Sequence, residues 1–321
     1  MRQPLLLRSA VVALLSCAGA GAGAGAAAAM STSAAARAPR VALVTGATDG
    51  IGRLTARLLA ADGFTVLLHG RSQTRLAETR DEIERAVPGA QLETFCSDLQ
   101  LTTGANALAD SVLGKHASLS VVVQNAGVFM DKFALTEGEG IESTFAVNVV
   151  APFILARRLL PALQQCPDAR MLMVSSISQS DGGRLDLTTL PRGGGGGGGG
   201  AGRGFDKYAA YGLSKRCMAM LAHELALRCG ASSPSPSPVV LSCDPGTVNT
   251  KMLLAGWGRC GIDVEAATDE FNLVRVYDPA RHGKYYVGCR ETKAAPEVYD
   301  AARRAELWAL LETLAARSSL T

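Results

Sequence analysis

The sequence predicts an α/β fold in which helices cover both faces of a doubly wound parallel sheet. From Arg40 onward, short apolar runs alternate with longer amphipathic segments, the pattern of strands joined by crossover helices. A glycine-rich turn separates the first apolar run from the first amphipathic segment. With 321 residues, the chain can form one large domain of roughly 250–280 residues with extensions.

Seven apolar runs are predicted to be strands: Val41–Val44, Thr65–His69, Gln91–Cys96, Leu119–Gln124, Met171–Ser175, Val239–Cys243 and Lys284–Val287. The segments predicted to be helices between them are Gly50–Asp62, Gln73–Val87, Thr103–His116, Gly138–Gln165 and Lys207–Cys229. Pro161 is expected to end or kink the fourth helix. Pro296 is expected to open a last helix whose buried residues are Val298, Ala302, Leu307, Trp308 and Leu311.

The turn after the first strand contains Gly46, Gly50 and Gly52. Their spacing, G-x-x-x-G-x-G, differs from the G-x-G-x-x-G of the broader dinucleotide fingerprint. Glycines between a strand and a helix let the backbone approach a pyrophosphate, which then meets the N–H groups of the helix start. Taken by itself the turn fits a purely structural role equally well.

The end of the second strand, His69-Gly70-Arg71-Ser72, bears on the choice of nucleotide. An NAD site carries an acid here for the ribose hydroxyls, but no acid occurs between Gly63 and Ala77. Arg71 and Ser72 could instead hold a 2′-phosphate through charge-assisted contacts. The alternative is a solvated arginine in a turn that starts a helix.

Two further strand ends carry candidate cofactor contacts. Asp98, followed by Leu99, could accept a hydrogen bond from an adenine amino group, or could cap a helix. Asn125, Ala126 and Gly127 follow the fourth strand. Small residues there would let the backbone lie along a cofactor, and an ordinary turn is the alternative.

Tyr211 and Lys215 lie four residues apart on a predicted helix and therefore on one helical face. A phenol titrates near pH 10, and a neighbouring ammonium would lower that pKa and prepare the phenol for proton transfer. Ser175 and Ser176 end the fifth strand, where the ligand contacts of parallel sheets gather. The pair Tyr-x-x-x-Lys alone is more often a surface feature.

The order of these motifs resembles the short-chain dehydrogenase/reductase superfamily. The resemblance extends from about Arg40 to Leu314 and rests on T-G-x-x-x-G-I-G, N-A-G, a lone Asn148, Ser-Ser, Y-x-x-x-K and Pro245-Gly246. The tail Gly283–Val287, followed by a helix with a tryptophan, is most similar to the retinol dehydrogenase-like branch. The resemblance implies a single Rossmann-type domain over residues 41–317.

The resemblance also implies residue roles. Tyr211 would be the acid or base, Lys215 would lower its pKa and bind the nicotinamide ribose, Ser176 would position the substrate, and Asn148 would hold a water. Ser176 is preferred to Ser175 because the second serine carries this role in the family. The implied cofactor contacts are Thr45, Gly46, Gly50, Ile51, Gly52, Arg71, Ser72, Asp98, Leu99, Asn125, Ala126, Gly127, Tyr211, Lys215, Pro245, Gly246 and Thr247.

The chain departs from the family pattern at four places. Ser176 and Tyr211 are 35 residues apart, a long spacing that leaves the shape of the substrate mouth open. Asp244 stands where relatives often have His, and Gln124 stands where Asn is more usual. Asp49 occupies a position in the glycine turn where a basic residue sometimes supports NADP, so Arg71 must carry that preference alone.

Composition excludes several classes of function. The net charge is +3, but residues 1–48 hold four arginines and no acid, which leaves 28 basic against 29 acidic residues in the remainder. Nothing in this balance indicates nucleic-acid binding. The eight cysteines show no C-x-x-C and no zinc spacing, so we expect reduced thiols and no metal site. The sequence does not indicate an oligomeric state.

Four segments are expected to lie outside the regular pattern. Residues 1–40 have charged, apolar and small-residue parts that suggest a secretory signal or an organellar transit peptide, plastid included. The alternatives are a low-complexity extension or a true start at Met30, with a cytoplasmic protein; no clear membrane span is present. Residues 193–204 should be a flexible glycine-rich loop, Ser232–Pro238 an extended connector, and residues 248–277 a substrate lobe.

The leading interpretation is an NADP-dependent oxidoreductase that interconverts a carbonyl and an alcohol on a small hydrophobic molecule. Apolar residues of the lobe offer a lining, or belong to the ordinary core: Met252, Leu253, Leu254, Trp257, Phe271 and Leu273. One alternative is an NADP(H)-sensing or scaffold protein with the same fold, against which the complete Ser/Tyr/Lys/Asn set argues. Another is a plastid pigment reductase, which is favoured by the transit-like leader alone.

Overall fold

The computed structural model describes residues 40–192, 204–230 and 238–316, and eight strands in this part of the chain form one sheet. The strands are β1 (Val41–Val44), β2 (Thr65–Gly70), β3 (Leu92–Cys96), β4 (Val121–Gln124), β5 (Arg170–Val174), β6 (Val239–Asp244), β7 (Tyr285–Val287) and β8 (Arg290–Thr292). Their order is β3-β2-β1-β4-β5-β6-β7-β8. Pairing is parallel from β3 to β7, and β8 is antiparallel. Because β1 pairs with both β2 and β4, the strand order reverses there, which is where open parallel sheets bind ligands.

Helices cover both faces of this sheet and confirm the doubly wound α/β prediction. They are α1 (Gly50–Ala61), α2 (Gln73–Ala86), α3 (Thr102–Leu113), α4 (Ser143–Phe145), α5 (Ala151–Gln164), α6 (Lys207–Gly230), α7 (Lys251–Trp257), α8 (Asp269–Val274) and α9 (Ala301–Ala316). All seven predicted strands occur. Strand β8 was missed because its three residues are exposed, so it lacks the apolar run that marks the buried strands.

Alternation along the strands separates two cores. Val41 and Leu43 belong to the core that also holds residues of α3, α5, α6 and α9, whereas Ala42 and Val44 belong to the one with residues of α1, α2 and α8. Every residue of β1 is buried, as expected for a central strand covered on both faces. The carboxyl ends of the strands are therefore left as the place for a site.

The segment Ser143–Gln164 forms one long helical stretch with a π-helical turn, Ala146–Val150, between α4 and α5. Pro161 was expected to end or kink this helix. It does not end it, because α5 continues to Gln164. By length and composition this stretch could cross a membrane, but 72% of its apolar window is buried inside the protein. Its apolarity is thus explained by its position in the core.

The last helix begins later than predicted. Pro296–Val298 is a separate 3-10 turn, and α9 starts at Ala301. Ala302 is exposed rather than buried; the residue buried there is Arg304, whose Nε donates to Glu224 at 3.0 Å. The structure does not describe residues 1–39, 193–203 and 231–237. The predictions for segments 1–40, 193–204 and 232–238 therefore lie outside the described residues, apart from the last residue of each segment.

Candidate active site

The glycine turn joins β1 to α1 and needs glycine for two different reasons. Gly46 and Gly50 have positive φ angles, +67° and +52°, which residues with a Cβ rarely adopt. A Cβ on Gly52 would lie 2.5 Å from the Gly46 carbonyl oxygen and closer still to Nδ2 of Asn125. The turn is therefore a narrow cradle, and Asp49 begins α1 by accepting a hydrogen bond from the Gly50 N–H at 2.8 Å.

His69 holds this turn through a hydrogen bond to its backbone, a role that sequence reasoning missed. The Gly46 N–H donates to its Nδ1 at 3.4 Å, and its Nε2 lies 3.2 Å from the Ser97 carbonyl oxygen. These contacts require a neutral ring with the proton on Nε2. Burial lowers the pKa of His69 to about 4, so the ring stays neutral at physiological pH.

Four charged residues surround the corner between the glycine turn and the end of β2. Arg75 donates from Nη2 to the Thr48 carbonyl at 3.1 Å and pairs with Asp49 at 3.0 Å, and Lys251 pairs with the same carboxylate at 2.8 Å. Burial would raise the pKa of Asp49, but Lys251, the Gly50 N–H and Arg75 hold it below its usual value. Arg71 is exposed and forms no hydrogen bond or ion pair within the described residues. Three cations and one carboxylate leave the corner positive.

Three predicted cofactor contacts already have structural roles: Ser72, Asp98 and Leu99. The Ser72 hydroxyl accepts from the Arg75 N–H at 3.4 Å and caps α2. Asp98 is exposed, and its carboxylate accepts from the Gln100 N–H at 2.9 Å. It does not cap α3, whose N-cap is Leu101. The Leu99 side chain lies in the core, so a cofactor contact from Leu99 would have to come from its backbone.

The end of β4 locks onto the end of β1. Asn125 donates from Nδ2 to the Thr45 carbonyl at 2.8 Å, and the Thr45 hydroxyl accepts from the Ala126 N–H at 3.0 Å. A Cβ on Gly127 would meet Nζ of Lys215 at 3.2 Å and Oδ1 of Asn148 at 3.4 Å. A glycine here therefore keeps open the space in front of Lys215.

Tyr211 lies on α6 opposite the two serines that follow β5. Its side chain is 8% exposed. Burial raises the pKa of Tyr211 to about 12, while the nearby Ser176 hydroxyl opposes that rise. The Ser175 hydroxyl is used elsewhere, donating to the Lys215 carbonyl at 2.7 Å. The structure thus brings Ser176, and not Ser175, to the phenol.

Lys215 lies one helical turn after Tyr211 on α6. Nζ of Lys215 lies 5.6 Å from the centre of the Tyr211 ring and donates to the Val174 carbonyl at 2.9 Å. Burial lowers the pKa of Lys215 to about 8, against the carboxylates of Glu270 and Asp244. Burial is the largest influence on the Tyr211 pKa and raises it, in the direction opposite to the lowering expected from Lys215.

Asn148 sits in the π-helical turn and is fully buried. Its Oδ1 accepts from the Val128 N–H at 2.8 Å, and its Nδ2 donates to the Val128 carbonyl and to Oγ of Ser214, both at 3.0 Å. The side chain therefore ties the segment after β4 to α6. Both Nδ2 protons are used, so within the side chain only the second lone pair of Oδ1 is left for the water that Asn148 was expected to hold.

Strand β6 ends at Asp244, whose carboxylate accepts from the Gly246 N–H at 3.2 Å. Burial raises the pKa of Asp244. Pro245 is half-buried, and Gly246 and Thr247 are exposed at the edge of the site, where a cofactor could reach them. Ile51 packs in a small cluster with Leu54, Val248 and Ala267 that seats the lobe on α1.

One part of the expected substrate lobe, residues 248–277, belongs to the hydrophobic core, and another part lies beside the site. Leu273 lies in one of the two sheet cores with Phe271 packed against it, so these two residues are core. Glu270, fully buried, accepts from the Thr55 hydroxyl at 3.1 Å. By contrast, no residue of α7 is buried, and its Trp257 lies 6.0 Å from Tyr211 between ring centres.

Further aromatic rings complete the surroundings of Tyr211, and of these Phe129 was not found by sequence reasoning. Phe129 lies 5.6 Å from Tyr211 and 4.7 Å from Trp257, and Tyr208 lies 5.3 Å from Phe129, all between ring centres. Phe129 lies two residues after the N-A-G motif, a position that could have drawn attention. His69 and Arg75 flank Arg71 in the sequence and offered a similar signal.

Comparison with known proteins agrees with this arrangement. The family model described as short chain dehydrogenase matches residues 40–185. An uncharacterized oxidoreductase of Emericella nidulans is 33% identical over 211 residues, which are 65% of this chain and 70% of that protein. The chain belongs to the short-chain dehydrogenase/reductase family. As a member of that family it is an oxidoreductase.

A second relative and one solved structure extend the comparison. Mouse polyprenol dehydrogenase is 33% identical over 224 residues, 68% of this chain; the match spans 63% of that protein. A protein from Beutenbergia cavernae, assigned as an NAD(P)-dependent gluconate 5-dehydrogenase and solved with NADP at low occupancy, is 25% identical. It superimposes with a TM-score of 0.57 over 77% of this chain and 94% of its own.

Proposed function

We propose that this short-chain dehydrogenase/reductase interconverts a carbonyl and an alcohol with NADP(H), using Tyr211 as the acid or base. The observation that carries the proposal is that the buried Tyr211 phenol lies near enough to Ser176 for the hydroxyl to lower its pKa, with Nζ of the buried Lys215 5.6 Å from its ring centre. These groups gather at the carboxyl ends of the central strands, next to the glycine turn. That is where ligands of open parallel sheets bind.

The residues present fit a phosphorylated dinucleotide. Gly46, Gly50 and Gly52 leave a cradle that a Cβ would fill, and the N-terminus of α1 favours an anion there. Arg71, with Arg75 beside it, would meet a 2′-phosphate. NADP in the solved Beutenbergia cavernae structure supports this choice. When bound, the nicotinamide supplies the hydride.

The protein's own groups manage the proton and the substrate. The buried phenol of Tyr211 stays protonated at neutral pH, which is the form that can donate a proton to a carbonyl oxygen being reduced. Ser176 holds that oxygen by a hydrogen bond. Lys215, whose pKa is lowered to about 8, supplies a charge and a proton source near the ribose. Asn148 keeps Lys215 in place through Ser214 and Val128.

The finer parts of the function are likewise proposals. A hydrophobic substrate and the retinol dehydrogenase-like branch are supported by the apolar residues of α7 and by the sequence of the tail. A sensor without turnover would not need Ser176 beside a buried phenol, so we do not favour it. We propose that residues 1–40 direct the protein to the secretory pathway or an organelle, which a fusion of this segment to a fluorescent protein would test.

The test of the proposed function is a panel of aldehydes and ketones assayed by the fall in NADPH absorbance. Reduction of at least one carbonyl, with NADPH preferred to NADH, is the expected result. A panel that gives no turnover with either nucleotide, although NADPH binds, would instead favour the sensor.

A further inference from the structure

The rings around Tyr211 form a continuous aromatic wall, which we define as Phe129, Tyr208 and Trp257. Each of the three contacts the other two with ring centres between 4.7 and 5.3 Å apart. Phe129 and Trp257 also meet Tyr211 edge-on. The aromatic wall therefore stands directly beside the proposed proton donor.

Two members of the wall offer ring surface to a ligand. Tyr208 is 45% exposed and Trp257 is 41% exposed, and Leu254, one turn before Trp257 on α7, is 46% exposed. Large apolar surface left open beside a reactive group is characteristic of a substrate site rather than of a core.

The position of Trp257 is set by specific contacts. The Tyr208 hydroxyl donates to the Gly256 carbonyl at 2.7 Å, which ties α7 to α6. A Cβ on Gly256 would lie 3.1 Å from the Phe129 ring, so glycine permits this close approach. Gly258, with φ +76°, ends the helix directly after the tryptophan. Thus Tyr208 holds the wall together.

The outer side of the wall already carries a cation. Nζ of Lys207 lies 5.2 Å from the Phe129 ring centre and 5.4 Å from that of Tyr208, and it pairs with Asp131 at 2.6 Å. Lys207 thus already makes the cation–π contacts that the faces of the Phe129 and Tyr208 rings offer on that side. The remaining ring surface suits a neutral planar group, which gains edge-to-face or offset-stacked contact that a saturated group of equal size does not.

We infer that the aromatic wall is a subsite for the planar conjugated part of a neutral carbonyl substrate, such as an aryl ketone. This inference rests on the proposed function, and it names the substrate class that the same site takes. A ring seated against Trp257 places an attached carbonyl toward Tyr211, because the two side chains are in contact.

A matched pair of ketones tests the subsite by binding alone. Acetophenone and cyclohexyl methyl ketone differ in the planarity of one six-membered ring, and each is titrated calorimetrically into the full-length protein saturated with NADP⁺. The wild type should bind acetophenone more tightly. Trp257→Leu should reduce that preference by about 2- to 10-fold, the usual worth of an aromatic pair.

Trp308→Phe is the control, since Trp308 packs on Phe153 away from the site, and it should keep the wild-type preference. Equal binding of the two ketones, no measurable binding of either, or an unchanged preference in Trp257→Leu would each overturn the inference. If acetophenone is bound with the expected preference but no carbonyl of the panel is reduced with NADPH, the subsite stands and the proposed function fails.

Discussion

Replacing Gly52 by alanine probes the cradle with one methyl group. The new Cβ would stand 2.5 Å from the Gly46 carbonyl oxygen, and backbone there cannot retreat without reshaping the turn. Asn125 would have to leave its hydrogen bond to the Thr45 carbonyl, 2.8 Å long, at about 0.5–1.5 kcal/mol. Overpacking adds about 1–3 kcal/mol, and the better helix propensity of alanine returns about 1 kcal/mol.

The net loss of stability should therefore be modest, a fall in melting temperature of under about 10 °C. The loss of cofactor affinity should be larger in relative terms. A reshaped turn forfeits at least one charge-assisted contact to the pyrophosphate, about 1.5–3 kcal/mol, or roughly 10- to 100-fold in the dissociation constant. Scanning fluorimetry and calorimetric titration with NADPH measure the two effects.

The matched control is Gly138→Ala. Gly138 has a positive φ, +74°, but no heavy atom lies within 4 Å of the point where its Cβ would stand. Backbone strain of about 1–2 kcal/mol should lower its stability and leave NADPH binding unchanged. If folded Gly52→Ala binds NADPH within about twofold of the wild type, less than the loss of one such contact, the glycine turn is not the pyrophosphate cradle.

Further predictions concern the cofactor, the buried lysine and two segments. Arg71→Ala should weaken NADPH binding about 10-fold or more and leave NADH binding nearly unchanged; equal effects on the two nucleotides would contradict its role. Lys215→Met should lose turnover, yet its cofactor-free form should be at least as stable as the wild type at pH 7. The reason is that burial of the charged amine destabilises the folded wild type. This destabilisation is full below pH 8 and vanishes above pH 10.5, because the folded pKa is about 8 and the unfolded one 10.5. In thermal melts, the stability of the wild type relative to Lys215→Met should therefore rise across that interval. Deleting residues 193–200 should change the melting temperature little, since loop closure costs only about 0.6 kcal/mol per doubling of length, and a large fall with unchanged kinetics would refute this. A protein that begins at Met30 should bind NADPH like the full chain; insolubility would show that the leader packs on the domain.

The sequence predicted those parts of the site that depend on local spacing. The turn with Gly46, Gly50 and Gly52 has a fixed distance from its strand and helix, and Tyr211 and Lys215 share a helical face. The choice of Ser176 rested on family resemblance alone. In the structure the Ser175 hydroxyl donates to the α6 backbone, which leaves Ser176 as the candidate.

Contacts between distant segments could not be predicted in this way. Asp49 faces Arg75 and Lys251, which lie 26 and 202 positions further along the chain. The contact of Trp257 with Tyr211 likewise depends on how α7 folds back over α6. The pKa of Tyr211 was expected to be lowered by Lys215, but it is governed by burial, a quantity that a motif does not contain.

The central claim, that Tyr211 is the proton donor, is tested most directly by Tyr211→Phe on any carbonyl that the wild type reduces. The variant should bind NADPH normally, because phosphate and adenine contacts lie elsewhere, while turnover falls by roughly 10²–10⁴-fold. Tyr208→Phe, which loses one neutral hydrogen bond within the aromatic wall, should lose no more than about tenfold. Near wild-type turnover in Tyr211→Phe, with the large loss appearing in Tyr208→Phe instead, would contradict the account.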